Sequence, residues 1–245
     1  LLVILVLTIA PISFASESLP PKKQYWPFEG IFGTVDREAA QRGFKVYKEV
    51  CAVCHGLEQL SYRNLEEIGF SEAEVKNIAK EYQVKDRPND EGEMFMRPAL
   101  PSDRFVNPFP NEQAARTANN GAYPVDLSLI VKARPDGGNY VYSLLTGYRE
   151  PPDNFQLMAG LYYNPYFPGQ QIAMPPPLFH GHVSYINNTS PSIAQMSRDL
   201  VIFLQWAAEP EMENRKSMGL KVLVYLIFFT IFFYIANKRL WSKVK

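Results

Sequence analysis

The strongest constraint on this chain of 245 residues is a cluster of three side chains, Cys51, Cys54 and His55, in the segment VCAVCHGLEQL. The two cysteines are the only ones in the sequence, and the histidine directly follows the second. A Cys-x-x-Cys-His cluster is typical of covalent haem attachment, in which both thiols add to the vinyl groups of the porphyrin and the imidazole ligates the iron. The cluster therefore predicts a fold built around a haem that these three residues hold.

Three other uses of the cysteine pair compete with haem attachment. A redox disulfide of the thioredoxin type would follow a strand and start a helix, whereas apolar residues at three- and four-residue steps from Ala40 to Cys54 predict a helix that ends at the cysteines. A zinc site would need two more ligands, for which only His180 and His182 are available. The third alternative is chance occurrence. Haem attachment is favoured because the motif uses both cysteines and lies in a chain that is predicted to be exported.

The second axial position of the iron separates an electron carrier from a site with an open face. Met174, in GQQIAMPPPLF, precedes three prolines that hold the backbone in an extended path and would help to keep a weak thioether ligand on the iron. His180 and His182 are competing ligands, although their segment FHGHVSY is typical of a hydrogen-bonded surface turn. Four other methionines are interpreted as core filling, namely Met94, Met96, Met158 and Met196.

Both ends of the chain indicate export and a membrane. Residues 1–15 are predicted to be a partial, cleavable signal peptide, with an N-terminal anchor helix as the alternative, because a short apolar run ends in small residues at Ala15. Residues 218–237 are predicted to span a membrane, since about 20 residues reach roughly 30 Å as a helix. Residues 238–245 would form a short cytoplasmic tail, and residues 16–217 the haem domain.

The charge distribution limits the class of partner. Formal net charge is zero, with 25 basic and 25 acidic residues, but residues 220–245 hold five basic and no acidic side chains. The preceding residues therefore carry 20 basic and 25 acidic side chains and are net negative by five. A negative body argues against nucleic acid as a partner and suits a basic protein or a position next to membrane lipid.

The predicted fold class is mostly α, a cytochrome c-like haem domain with long irregular loops rich in proline plus one C-terminal transmembrane helix. A second long helix is expected between Ser192 and Pro210, where apolar residues again recur at helical spacing. Short helices are expected at residues 71–82, 111–119 and 138–145. We see no alternating pattern that predicts a strand of useful length.

Beyond these patterns, the chain resembles the cytochrome c1 family, the haem-carrying subunits of cytochrome bc1 (quinol:cytochrome c oxidoreductase) complexes. The resemblance is carried by PFEGIFGTVDREAAQRGFKVYKEVCAVCH, AARTANNGAYPVDLSLIVKARPDGGNYVYSLLTGY, IAMPPPL and RDLVIFLQWAAEPEMENRKSMGLK. It implies one covalently bound haem c whose iron has His and Met as axial ligands. It implies the following site: Cys51 and Cys54 as thioether positions, His55 and Met174 as ligands, Arg134 and Tyr140 near the propionates, and Asn119 and Gly121 in a turn lining the pocket. Val125 departs from the proline common at this position.

The resemblance also implies the partners and the reaction. An electron would come from the Rieske iron-sulfur subunit and pass to a soluble or membrane-bound cytochrome c, with cytochrome b as a further partner. The chain would then be an electron-transfer subunit of a quinol:cytochrome c oxidoreductase complex, and whether it is an enzyme on its own is left open. We expect the bacterial inner membrane, with one pass and a periplasmic haem domain, or alternatively the mitochondrial inner membrane. The other functions left open are a free-standing membrane-anchored electron shuttle and a five-coordinate haem enzyme or gas sensor.

Overall fold

Two long helices form the centre of the fold in a computed structural model that describes residues 18–185 and 189–243. Helix α1 spans Arg37–Glu49 and helix α5 spans Ile193–Ala208. Each begins after a capping residue: the Asp36 carboxylate accepts a hydrogen bond from the Ala39 amide at 3.0 Å, and the Ser192 hydroxyl accepts one from the Gln195 amide at 3.2 Å. Both helices predicted from apolar periodicity are confirmed.

The contact between α1 and α5 depends on Gly43. A Cβ atom at this position would lie 2.1 Å from the carbonyl oxygen of Asp199 and 2.7 Å from Cβ of Phe203, so only glycine lets the two backbones approach this closely. Beside it, the Arg42 guanidinium donates from two nitrogens to the two carboxylate oxygens of the buried Asp199, each at 2.9 Å. The pair is therefore held both by packing and by a bidentate ion pair.

Shorter helices surround this pair. Helix α2 spans Glu72–Lys80, α3 spans Glu112–Ala118 and α4 spans Gly137–Leu145, each within two residues of the predicted ends. Helix α4 packs against α5, where a Cβ on Gly138 would lie 2.8 Å from the Val201 side chain. Among the described residues, 3₁₀ segments at Cys51–Val53 and Tyr62–Ile68 add to the helical content, whereas Pro168–Gln170 is a turn in which Gly169 has a φ of 74°. The prediction of a mostly α fold is confirmed.

Two short antiparallel hairpins were not predicted. Strand β1 (Gln83–Lys85) pairs with β2 (Met96–Pro98), and β3 (Tyr162–Tyr163) pairs with β4 (Gln171–Ile172). Each strand has only two or three residues, too few for an alternating pattern to be visible in the sequence. The first hairpin is held by side chains, because Arg97 pairs with both Asp86 and Asp103 at 2.6 Å.

The interpretation of four methionines as core filling is right for one of them. Met196 is fully buried in α5, whereas Met94, Met96 and Met158 are about half to two-thirds exposed. The three exposed residues lie in hairpin and loop segments with little chain packed over them, which residue type alone does not reveal.

Helix α6, Met212–Trp241, leaves the domain as a long exposed helix. Its composition and length are sufficient to cross a membrane, and its apolar side chains are exposed on every face. It begins six residues before the predicted span because its first two turns are tied to the domain through Glu213 and Lys216. The predicted signal peptide, residues 1–15, lies outside the described residues.

Candidate functional site

The Cys-x-x-Cys-His cluster lies where α1 ends. Helix α1 stops at Glu49, and residues Cys51–Val53 form one 3₁₀ turn in which the amides of Cys54 and His55 both donate to the Cys51 carbonyl, at 3.0 and 2.8 Å. Both cysteines are free thiols. A single tight turn therefore carries the two thiols and the imidazole, as attachment to one flat ligand requires.

His55 is oriented by a backbone carbonyl. Its Nδ1 lies 2.7 Å from the carbonyl oxygen of Val125, so Nδ1 carries the proton and donates it. Among the described residues no hydrogen bond to Nε2 is found, which leaves that nitrogen with its lone pair. Desolvation lowers the pKa of His55, against smaller opposing effects of the Val125 carbonyl and Asp126. A neutral imidazole with a fixed Nδ1–H is the form that ligates a metal.

The segment that supplies this carbonyl is tied firmly to the cluster. The Leu127 amide donates to the Gly56 carbonyl at 2.9 Å, and the Asp126 carboxylate accepts from the Glu58 amide at 2.8 Å. A Cβ on Gly56 would lie 2.2 Å from the side-chain oxygen of Asn107, which shows how tightly the segments pack. The departure from proline at Val125 leaves this arrangement intact, because the contact uses the main-chain oxygen.

The Cys51 thiol lies in a desolvated position. Desolvation, with a smaller contribution from Cys54, raises the pKa of Cys51 to about 12. A thiol that stays protonated at neutral pH is a poor attacking group for disulfide exchange, which depends on the thiolate. The electrostatics therefore argue against the thioredoxin-type alternative.

Met174 is positioned by the second hairpin and by a tyrosine. It follows β4 by two residues and is partly buried. The Tyr148 hydroxyl donates to the Met174 carbonyl at 3.0 Å, which ties the methionine loop to the chain that follows α4. Desolvation raises the pKa of Tyr148, and the neighbouring Tyr140 adds to the rise.

Arg134 and Tyr140 lie close together at the start of α4. Desolvation raises the pKa of Tyr140, while the Arg134 guanidinium beside it acts in the opposite direction. Asn119 ends α3, and its side-chain amide donates to the Ala115 carbonyl at 2.7 Å. The backbone then turns with positive φ at Asn120 and Gly121, 51° and 86°. The predicted residues thus form one group at the cysteine cluster, a second around α4 and Met174, and a turn after α3.

His180 and His182 lie in a turn held by backbone hydrogen bonds, as the sequence indicated. The Gly181 amide donates to the Pro191 carbonyl at 3.0 Å, and the His182 amide donates to the Phe179 carbonyl at 3.1 Å. The His182 ring stacks on Phe179 with centroids 3.9 Å apart. Within residues 18–185 and 189–243, no three His, Cys, Asp or Glu side chains gather as a metal-binding group, so these histidines do not join the cysteines in one donor set.

The described residues fit a covalently held haem. The two thiols and the oriented imidazole could supply its attachment and one axial ligand. Four apolar side chains in the cluster and in the segment packed against it are between 41% and 65% exposed: Val53, Tyr123, Val125 and Leu129. A porphyrin is a flat apolar group of the kind that covers such surface.

Sequence reasoning missed three contributors to this site. The Val125 carbonyl leaves no sequence signal because every residue type has a carbonyl. Tyr47 donates from its hydroxyl to the His55 carbonyl at 3.1 Å, a contact that its place in the apolar periodicity of α1 does not indicate. Tyr148 lies eight residues after Tyr140, beyond the end of α4, so helical spacing does not relate the two.

Comparison with known proteins gives consistent matches over nearly the whole chain. A sequence profile of the Cytochrome C1 family matches residues 26–244. A Solanum tuberosum protein named "Cytochrome c1-2, heme protein, mitochondrial" is 52% identical over 219 residues, 89% of this chain and 84% of that protein. "Cytochrome c1" of Rhodospirillum rubrum is 44% identical over 258 residues, 98% of this chain and 95% of that protein. A Candida albicans protein named "Cytochrome b-c1 complex catalytic subunit, mitochondrial" is 45% identical over 240 residues, 98% of this chain and 83% of that protein.

Proposed function

The chain belongs to the cytochrome c1 family, and from this premise we propose that it is the haem c subunit of a cytochrome bc1 complex. It accepts one electron from the Rieske iron-sulfur subunit and passes it to a soluble or membrane-bound cytochrome c. The name of the Candida albicans relative, a catalytic subunit of a b-c1 complex, supports this placement. In this role the chain transforms no substrate of its own and acts as an electron-transfer subunit of an oxidoreductase.

The observation that carries the proposal is the orientation of His55. Its Nδ1–H is held by the Val125 carbonyl at 2.7 Å, which supports a role for Nε2 as the proximal ligand beside Cys51 and Cys54. The two cysteines would hold the haem through thioether bonds, and Met174 would supply the distal ligand. When bound, the haem iron supplies a reversible one-electron couple, which His and Met ligation sets at a high potential.

The remaining residues would position the haem and its methionine ligand and neutralise the charge of the propionates. Arg134 and Tyr140 at the start of α4 would provide a charge and a hydroxyl for the haem propionates. Tyr148 holds the backbone of Met174, so that a weak thioether ligand belongs to a loop with little freedom. The turn of Asn119 and Gly121 would line the edge of the pocket.

The membrane placement follows from α6. We propose that it crosses the membrane once, with residues 16–217 outside and the basic tail in the cytoplasm, next to cytochrome b and the iron-sulfur subunit. Basic residues follow the span, and the positive-inside rule favours an orientation that keeps them in the cytoplasm. A bacterial inner membrane fits the predicted signal peptide, and a mitochondrial inner membrane is the alternative, since relatives of both origins match the chain.

Purification from native membranes in mild detergent tests the proposal. We expect a haem-stained polypeptide that co-purifies with cytochrome b and an iron-sulfur subunit. The reduced spectrum should be that of low-spin iron. A haem-stained chain that purifies without these subunits would instead identify a free-standing shuttle. A high-spin spectrum would identify an open site.

A further inference from the structure

The turn Gly30–Gly33 exposes two large apolar side chains. The Gly33 amide donates to the Gly30 carbonyl at 3.3 Å, which places Ile31 and Phe32 at the two corner positions. Ile31 is 69% exposed and Phe32 is 81% exposed. Turn corners favour glycine, proline, asparagine, aspartate and serine, so two bulky apolar residues there require a reason other than turn geometry.

The last residue of this turn and the chain on either side of it are tied to α6. The Lys216 ammonium donates to the carbonyl of Phe28 at 2.7 Å and to that of Gly33 at 3.0 Å. The Val35 amide, which follows, donates to the Glu213 carboxylate at 2.8 Å. The turn is therefore fixed beside the first two turns of the helix that leaves the domain.

Residues 26–28, which precede the turn Gly30–Gly33, are packed in the body of the domain. Trp26 is buried, and the Arg198 guanidinium lies 5.2 Å from its ring centroid, ten residues before the end of α5. Phe28 stacks on Trp26 with ring centroids 5.5 Å apart. Residues 26–28 thus belong to the core of the domain, and residues 30–33 follow on the α6 side of it.

The height of the turn matches the lipid headgroup zone. Lys216 precedes residue 218, the start of the predicted span, by about 3 Å along the helix, and it precedes Val222, where charges end, by about 9 Å. The interfacial zone on each side of the hydrocarbon core is about 5–7 Å thick. The turn that the Lys216 ammonium binds therefore lies next to the zone where aromatic and aliphatic anchors of membrane proteins are found.

We propose that Ile31 and Phe32 insert into the membrane interface beside α6 and form a second contact between the haem domain and the lipid. The contact rests on α6 crossing the membrane. A single helix allows the domain to tilt and rotate above the bilayer, whereas two contacts fix its orientation. Glu29 next to the turn is exposed and stays in water, so the contact is apolar and needs no anionic lipid.

A nitroxide label at Phe32→Cys tests this contact in the full-length, haem-loaded protein reconstituted into phosphatidylcholine vesicles. Collisions of the label with oxygen, which concentrates in lipid, are compared with collisions with a water-soluble nickel chelate. We expect oxygen to dominate several-fold at position 32. The matched control is Phe95→Cys, which replaces a 45% exposed phenylalanine in the loop between β1 and β2 and should favour the nickel chelate.

The outcomes are distinct. Access of the nickel chelate at position 32 equal to that at position 95 would place the turn in water and overturn the proposal. Protection from both reagents would show that protein, not lipid, covers the turn and would overturn it equally. Ile31→Cys provides a second labelling position if Phe32→Cys loses its haem spectrum. The wild-type chain treated with label reports any reaction at Cys51 and Cys54.

Discussion

Replacing Gly43 with alanine tests the contact that positions the haem-binding turn. The added Cβ would lie 2.1 Å from the Asp199 carbonyl oxygen, against about 3.4 Å for ordinary contact, so α1 and α5 must separate by roughly 1.3 Å locally. Neither obstacle is the flexible end of a side chain, because the Cβ of Phe203 also lies within 2.7 Å. The turn of Cys51–Val53 follows α1 directly and would move with it.

The expected change in the free energy of unfolding of Gly43→Ala combines two opposing effects. Overpacking at a rigid contact costs about 1–3 kcal/mol, and we take the upper end because backbone blocks the new atom. Alanine recovers about 1 kcal/mol of helix propensity relative to glycine. The net free energy of unfolding should therefore fall by about 2 kcal/mol, which at this chain length lowers Tm by roughly 4–8 °C.

Thermal loss of the haem Soret band in detergent measures this shift. The matched control is Gly219→Ala, also a glycine inside a helix, where a Cβ would meet no atom within 4 Å. The control should keep or slightly raise Tm. A Gly43→Ala protein with the Tm of the control would refute the argument that backbone contact between α1 and α5 limits this position.

Three further predictions concern the attachment site, the distal loop and the first hairpin. Replacing both Cys51 and Cys54 with alanine should abolish haem that survives denaturing electrophoresis, and persistent staining would contradict covalent attachment. Tyr148→Phe removes the hydrogen bond to the carbonyl of Met174, the predicted ligand, and should lower the free energy of unfolding by about 1 kcal/mol. Carbon monoxide should then bind faster to the ferrous protein. An unchanged binding rate would show that the bond does not restrain the loop. Because Arg97 holds the pKa of Asp103 below its ordinary value of 3.8, their ion pair stabilises the first hairpin fully above that pH, and this stabilisation is lost as pH falls through the lowered pKa. Amide exchange in residues 83–98, corrected for intrinsic rates, should therefore rise at low pH in the wild-type chain and at neutral pH in Asp103→Asn. Equal protection at all pH values would contradict this.

Local sequence signals were sufficient to predict the helices. Ser71 and Ser192 stand at the predicted starts of two helices, and each accepts a hydrogen bond from the first turn, so two helix starts were visible in the sequence. These contacts join residues three apart, within the range that spacing reveals. The predicted family was confirmed by the profile match over residues 26–244.

Long-range contacts could not be predicted in the same way. The hairpin of β1 and β2 depends on Arg97 joining carboxylates on both sides of it, and two-residue strands such as β3 leave no pattern. At the site, the spacing of Cys51, Cys54 and His55 named the residues, but the orientation of the imidazole depends on the Val125 carbonyl, 70 residues away. A backbone acceptor at that distance has no counterpart in residue type or spacing.

The midpoint potential of Met174→Leu shows whether this chain is an electron carrier whose iron has His and Met ligands. Leucine keeps the volume and apolarity but removes the sulfur, so packing should change little. Axial ligands tune haem potentials over about 0.8 V, and we expect a fall of a few tenths of a volt together with carbon monoxide binding to the ferrous protein. A fall of about 0.3 V is roughly five powers of ten at about 59 mV per decade. Met196→Leu, a fully buried methionine in α5, is the control and should keep the wild-type potential. An unchanged midpoint in Met174→Leu, with carbon monoxide still excluded, would contradict the account and direct attention to His180 and His182.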